Sequence, residues 1–212
     1  MKVGILASGG GTNLQALIDA AARGALGPAS LAVVGVNVDG CGALERARQA
    51  RLPTFVVDHR AFADRAAFDR ALVAELRARQ VELLVMAGFM RLVTAELLDA
   101  YPGRVINIHP ALLPAFPGVD GQSQAFEYGV KIAGCTVHFV DRGRDSGPVI
   151  AQTAVRVLEN DDQDRLRQRI LEEEHRLLPA VVRAIAEGRV TLDGRRVRVR
   201  AAVADETRLR SL

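Results

Sequence analysis

Five short apolar, β-branched runs, at Val3 to Ala7, Leu31 to Val38, Pro53 to Val57, Leu83 to Ala87 and Arg104 to Ile108, alternate with helical periodicity through the first half of the chain. Strands joined through helices run parallel, because a parallel return needs a long crossover. Runs that are apolar on both faces need helices against each face, which predicts a doubly wound, mostly parallel α/β sheet. Ligands of such a sheet bind beyond the carboxyl ends of its strands, so chemistry is expected in the loops that follow each run. From Ile132 to Val157 two longer alternating segments flank Asp141-Arg142-Gly143-Arg144-Asp145-Ser146-Gly147-Pro148, which predicts an antiparallel part. A long helix is expected from Asp162 to Glu187, followed by a hairpin turning at Asp193-Gly194. With 212 residues, 49% of them hydrophobic, the chain suffices for one core and is short for two.

Where the fifth run stops, Asn107 and His109 stand two residues apart and so share a strand face. An amide donor beside an imidazole can hold an oxyanion and then supply or relay a proton, as acyl transfer requires; capping of a turn is the alternative. After the first run, Ala7-Ser8-Gly9-Gly10-Gly11-Thr12-Asn13-Leu14-Gln15 enters a helix with apolar Leu14, Leu17, Ile18 and Ala21. Glycines let backbone N–H groups and the helix N-terminus face one anion, with Thr12 and Asn13 adding side-chain donors or caps. The loop matches neither the dinucleotide nor the triphosphate fingerprint, which favours a monophosphate over a simple tight turn. Asp145 lies in a Gly-rich loop able to fold a carboxylate back toward His109, although Asp before Ser-Gly-Pro is also ordinary turn chemistry. His138 alternates with Cys135, Val137 and Phe139 and reads as an interior histidine beside that loop. In the long helix Leu166, Ile170, Leu177, Val181 and Ile185 form an apolar stripe on which Glu174 falls, and Pro179 removes one hydrogen bond of the same helix and tends to bend the turn around His175. An inward carboxylate wants a cation, ligand hydroxyls or an open cleft; a solvent-reaching Glu at the stripe's margin is the alternative.

The net charge of +3 is mild, and Lys2 and Lys131 are the only lysines. The densest basic stretch, Arg195, Arg196, Arg198 and Arg200, lacks aromatics and reads as a solvated edge, so no nucleic-acid partner is expected. Cys41 and Cys135 are far apart and have no neighbours at metal spacing, so neither a disulfide framework nor a metal site is expected. Met1 leads directly into the first strand and no stretch approaches the length of a membrane span, from which a soluble, cytoplasmic protein without a membrane partner is expected.

Taken in order, Gly9-Gly10-Gly11-Thr12-Asn13-Leu14-Gln15, Ala87-Gly88-Phe89-Met90-Arg91, Asn107-Ile108-His109-Pro110, Leu112-Leu113-Pro114, Phe116-Pro117-Gly118, Gly134 to Val140, Asp145-Ser146-Gly147-Pro148 and Glu174-His175 resemble the phosphoribosylglycinamide formyltransferase family. The resemblance covers nearly the whole chain. Its middle motifs are common to formyltransferases that use 10-formyltetrahydrofolate, while the phosphate loop and the length single out the glycinamide ribonucleotide enzymes. It implies catalysis by Asn107, His109 and Asp145, and binding of the ribonucleotide by Gly11, Thr12, Asn13 and Glu174. It also implies a folate site made by Arg65, Met90, Arg91, Leu92 and Val93 together with Asn107. The co-substrate would be 10-formyltetrahydrofolate with no metal, the partners small molecules only, and the assembly a monomer or weak homodimer. Residues 1–212 would make one formyltransferase domain, with a phosphate-binding half over 1–110 and a folate-binding and C-terminal half over 111–212.

Two departures stand against the family pattern. After Pro117-Gly118 a histidine-containing stretch is usual, whereas this chain reads Val119-Asp120-Gly121-Gln122-Ser123-Gln124; and apolar Ile170 or Leu171 stands where a polar contact is expected one turn before Glu174. Activity is nevertheless expected, since the catalytic trio is intact. A methionyl-tRNA formyltransferase would carry a further C-terminal domain and a formyltetrahydrofolate hydrolase a further N-terminal one, and neither fits the length. A non-catalytic sensor on the same fold would need the phosphate loop but not the proton-transfer group.

Overall fold

In β1 (Lys2–Ala7) every residue from Val3 onward is buried, so both faces of this strand are covered. β1 runs parallel to β2 (Ser30–Val36) on one side and to β4 (Leu83–Met86) on the other. β2 continues to β3 (Thr54–Val56) and β4 to β5 (Val105–His109), again in parallel. These pairings belong to Met1–Asn107, the first of two compact units into which the computed structural model divides; the second starts at Ile108. Residues 1–201 are described. The crossovers are α1 (Thr12–Ala22), α2 (Gly42–Gln49), α3 (Arg65–Ala78) and α4 (Ala95–Ala100), with a 3-10 turn at His59–Ala61.

The order β3-β2-β1-β4-β5 reverses direction between β1 and β4. At such a switch point the loops leaving two adjacent strands diverge and open a crevice at their carboxyl ends. The loops in question are Ser8 to Gly11 and Ala87 to Val93. The predicted parallel, doubly wound half is thus found, with strand limits that differ by one or two residues. β2 stops at Val36 because the buried side chain of Asn37 is committed to hydrogen bonds with Ser8 and His59.

The second unit holds α5 (Gly121–Tyr128), the antiparallel pair β6 (Ile132–Phe139) and β7 (Val149–Arg156), α6 (Gln163–Ala186) and the hairpin β8 (Val190–Asp193) with β9 (Arg196–Val199). The β6–β7 register shifts between Val137 and His138, a bulge that re-aims the histidine. Asp162 caps α6 by accepting from the Arg165 amide at 2.8 Å, as a helix start wants. The helix runs unbroken through Pro179, with Leu166, Ile170, Leu177, Val181 and Ile185 buried along its stripe. No helix among the described residues is long and apolar enough to cross a membrane.

Candidate active site

The glycine loop owes its shape to α2. Gly11 takes a left-handed φ of 73° as the residue before α1, and a Cβ there would stand 2.6 Å from the Ala43 Cα. The Gly9 carbonyl accepts from the Ala43 amide at 2.9 Å, and the Gly10 carbonyl accepts from Arg46 Nε at 2.9 Å. Arg46 Nη1 also donates to Gln15 Oε1 at 3.3 Å, which ties the loop to the first turn of α1. The expectation that Thr12 or Asn13 caps this helix is corrected: Gly11 holds the cap position, no side chain caps it, and Thr12 is the first helical residue. A helix N-terminus of this kind presents backbone amides that can take an anion.

Across the switch point, residues 88 to 94 are held at both ends. Ser8 donates its amide to the Gly88 carbonyl at 3.0 Å. At the other end the Thr94 amide and hydroxyl donate to Oδ2 of Asp69, at 2.5 and 2.8 Å. Burial pushes the Asp69 carboxyl up, against the opposing pull of the Thr94 hydrogen bonds and of the charges on Arg91 and Arg65. Arg91 lies over the Phe68 ring at 5.6 Å, and Phe68 stacks with Phe89 at 6.4 Å. Arg65 and Arg91, expected together from the resemblance, are thus both near one buried carboxylate, while Met90 is 70% exposed at the loop's crest.

β5 carries Asn107 and His109 on one face, as expected, and its end at His109 belongs to the second unit. His109 is buried, and its Nε2–H donates to the Phe116 carbonyl at 2.8 Å. The opposite ring nitrogen, Nδ1, faces Oδ2 of Asp145 at 3.7 Å, beyond direct hydrogen bonding. The Gly118 amide donates to that same oxygen at 2.7 Å, which fixes the carboxylate. Asp145 is therefore more than a turn residue, although its φ of 50° is turn geometry. Its other oxygen lies 3.8 Å from His138 Nε2, while His138 Nδ1–H donates to the Phe139 carbonyl at 2.8 Å. Burial pulls the His138 pKa down, opposed by that carbonyl and by Asp145.

His138, expected first as an interior residue and alternatively as a support for the site, lies on the far side of the carboxylate. The available signal was its parity with Thr136 on a strand next to the Asp145 loop. Thr136 itself gave none. Its hydroxyl donates to the Ala111 carbonyl at 2.6 Å and accepts from the Leu113 amide at 3.1 Å and Gln152 Nε2 at 3.0 Å, pinning the segment that follows His109 to β6. Gly121 was also silent in the sequence: a Cβ there would stand 2.9 Å from His109 Nε2 and from the Phe116 carbonyl oxygen. Asp120, in the stretch that departs from the family pattern, precedes α5 in a left-handed conformation and accepts from Arg167 Nη2 at 3.2 Å.

Glu174 is 5% exposed, so the solvent-reaching alternative is corrected: its carboxylate lies on the buried stripe of α6. Cys41 and Cys135 are both free thiols, and burial pushes the Cys135 thiol far above its ordinary range. Among the described residues no group of three or more His, Cys, Asp or Glu is placed to hold a metal. Arg195, Arg196, Arg198 and Arg200 are exposed.

Known proteins resemble this chain over most of its length. The formyl transferase family model matches residues 1–182. Phosphoribosylglycinamide formyltransferase of Bacillus subtilis is 42% identical over 184 residues, covering 87% of this chain and 94% of that protein. The crystal structure of glycinamide ribonucleotide transformylase 1 from Symbiobacterium toebii superposes with a TM-score of 0.92 at 51% identity, covering 95% of this chain and 94% of that one. The trifunctional purine biosynthetic protein adenosine-3 of Drosophila melanogaster is 46% identical over 188 residues, but this chain spans only 14% of its length. A buried His109 beside a fixed carboxylate, a glycine loop at the switch point and matches over most of each single-function relative lead to one assignment: the chain belongs to the phosphoribosylglycinamide formyltransferase family.

Proposed function

We propose that this chain transfers the formyl group of 10-formyltetrahydrofolate to the amine of N1-(5-phosphoribosyl)glycinamide in de novo purine biosynthesis, acting as one formyltransferase domain in the cytoplasm. The observation that carries the reading is the pair His109 and Asp145, a buried imidazole whose Nδ1 faces a fixed carboxylate oxygen at 3.7 Å, at the end of the strand that bears Asn107. In the proposed reaction the glycinamide nitrogen attacks the formyl carbon and a C–N bond forms. The tetrahedral adduct then collapses with cleavage of the bond to folate N10, and the proton lost by the attacking amine goes to N10. Asn107 and protonated His109 stabilise the oxyanion, and a water held by Asp145 carries the proton. The separation of 3.7 Å is too long for a direct bond and supports a bridged one.

The glycine loop, with Gly11, Thr12 and Asn13, takes the ribonucleotide phosphate, and Glu174 takes its hydroxyls. Held this way, the amine spends binding energy on orientation. Arg65, Met90, Arg91, Leu92 and Val93, with Asn107, take the folate. The phosphate-binding part then corresponds to residues 1–110 and the folate-binding and C-terminal part to residues 111–212. Nothing in this chemistry calls for a metal, a nucleic acid or a membrane.

A donor carrying carbon-13 in its formyl group tests the route. Label should appear in the formamide of the product only when the ribonucleotide is present, and protein recovered after incubation with donor alone should carry none. Label on the protein, or formate released at the same rate without ribonucleotide, would contradict direct transfer.

A further inference from the structure

Four residues far apart in sequence are joined in the first unit by one chain of hydrogen bonds. The Met90 amide donates to Ser8 Oγ at 2.9 Å. Because that oxygen already accepts, its own proton goes onward, to Oδ1 of Asn37 at 2.6 Å. Asn37, 3% exposed, brings its Nδ2 within 3.1 Å of Nδ1 of His59. The same Nδ1 lies 3.2 Å from the Asn37 backbone carbonyl. Unprotonated, it accepts from the side-chain amide; protonated, it donates to the carbonyl, so in either tautomer His59 is bonded to Asn37.

A buried amide is costly unless paired, and Asn37 is paired to Ser8 on one side and His59 on the other. Its use is therefore orientation. The His59 ring also meets Phe68 edge-on with centroids 6.3 Å apart, and Phe68 stacks on Phe89. The turn at residues 88 to 90 is thus gripped from a polar and an apolar side by the same pair of residues, His59 and Phe68.

We propose that Ser8, Asn37 and His59 are positioning residues that set the backbone of Met90 to Val93 for the formyl donor. The proposal rests on the reading of that segment as the folate site. Ser8 also precedes the glycine loop directly, so one hydroxyl serves as the joint between the two loops of the switch point.

His59→Phe keeps the ring against Phe68 and deletes the Nδ1 partner of Asn37, whereas His59→Gln retains a side-chain amide able to donate or accept there. In the first variant the KM for 10-formyltetrahydrofolate should rise about threefold to tenfold, the loss expected of one hydrogen bond. The KM for the ribonucleotide should stay within about twofold, since the interaction removed belongs to the other substrate. The Gln variant should recover most of the loss. Amide hydrogen exchange at Met90, followed by NMR, needs no turnover and should speed up in Ser8→Ala and His59→Phe alike. Unchanged exchange at Met90 together with an unchanged donor KM would overturn the relay. So would an equal rise in both KM values that the Gln variant fails to recover, which is the mark of lost packing. A wild type that transfers no formyl group while Met90 exchange responds as expected would refute the proposed function and uphold the anchoring.

Discussion

His138 is held neutral by burial, so its protonation is linked to folding. Its pKa is depressed in the fold below the ordinary 6.5; as pH falls through that value the unfolded chain takes up a proton that the folded chain refuses. Stability is then lost toward acid, and none of this contribution appears well above pH 6.5. His138→Asn retains a donor for the Phe139 carbonyl and cannot titrate in this range. Its urea midpoint should therefore fall less steeply than that of wild type below pH 6.5, and parallel profiles for the two proteins would contradict the assignment. The two thiols offer a second check at this scale. Half-buried Cys41 should react with a thiol reagent in the native protein, while Cys135, fully buried and with a thiol pushed far up, should react only on unfolding.

The contact between α5 and the histidine gives the element scale its clearest consequence. Gly121 leaves no room for a Cβ beside His109 Nε2 and the Phe116 carbonyl. Gly121→Ala should displace the imidazole and cut kcat about a hundredfold, as small misplacements at reacting groups do, while circular dichroism stays native; undiminished kcat would show that the imidazole position is not critical. At the start of α6, Asp162→Ala removes the cap on the Arg165 amide. This should cost about 1 kcal/mol and lower the melting temperature by about 2–4 °C in a chain of this size. The loop between β6 and β7 presents Arg142 and Arg144 at its exposed tip. If they meet the acidic tail of a folate, replacing both with Ala weakens folate binding at low salt, and the difference closes as screening shortens to about 8 Å near physiological ionic strength. Equal affinities at low salt would refute that contact.

For the molecule as a whole, much of the topology was legible because buried parallel strands write themselves as uninterrupted apolar runs, such as Leu83 to Met86, and the glycine triplet marks the switch point. Asp145 and His109 were legible as a pair only in outline, since 36 positions of chain separate them and only the fold brings the carboxylate to 3.7 Å. The Ser8, Asn37 and His59 relay and the Thr136 clasp left no pattern. Single polar residues whose partners are remote in sequence have no period and no spacing to read. Glu174 lay between these extremes: the apolar stripe showed that something unusual stood there, and burial decided which alternative was right. The chain is expected to sediment as a monomer or a weakly associating homodimer; a dimer that persists at nanomolar concentration would contradict that expectation.

The central claim is that Asn107, His109 and Asp145 perform formyl transfer to a ribonucleotide. It is tested most directly by following the absorbance change of 10-formyltetrahydrofolate with glycinamide ribonucleotide for wild type, His109→Ala and Asp145→Asn. Turnover that requires the ribonucleotide, and that falls about a hundredfold or more in both variants while both still bind the two substrates, is the predicted result. Consumption of folate without the ribonucleotide, or variants as fast as wild type, would contradict it.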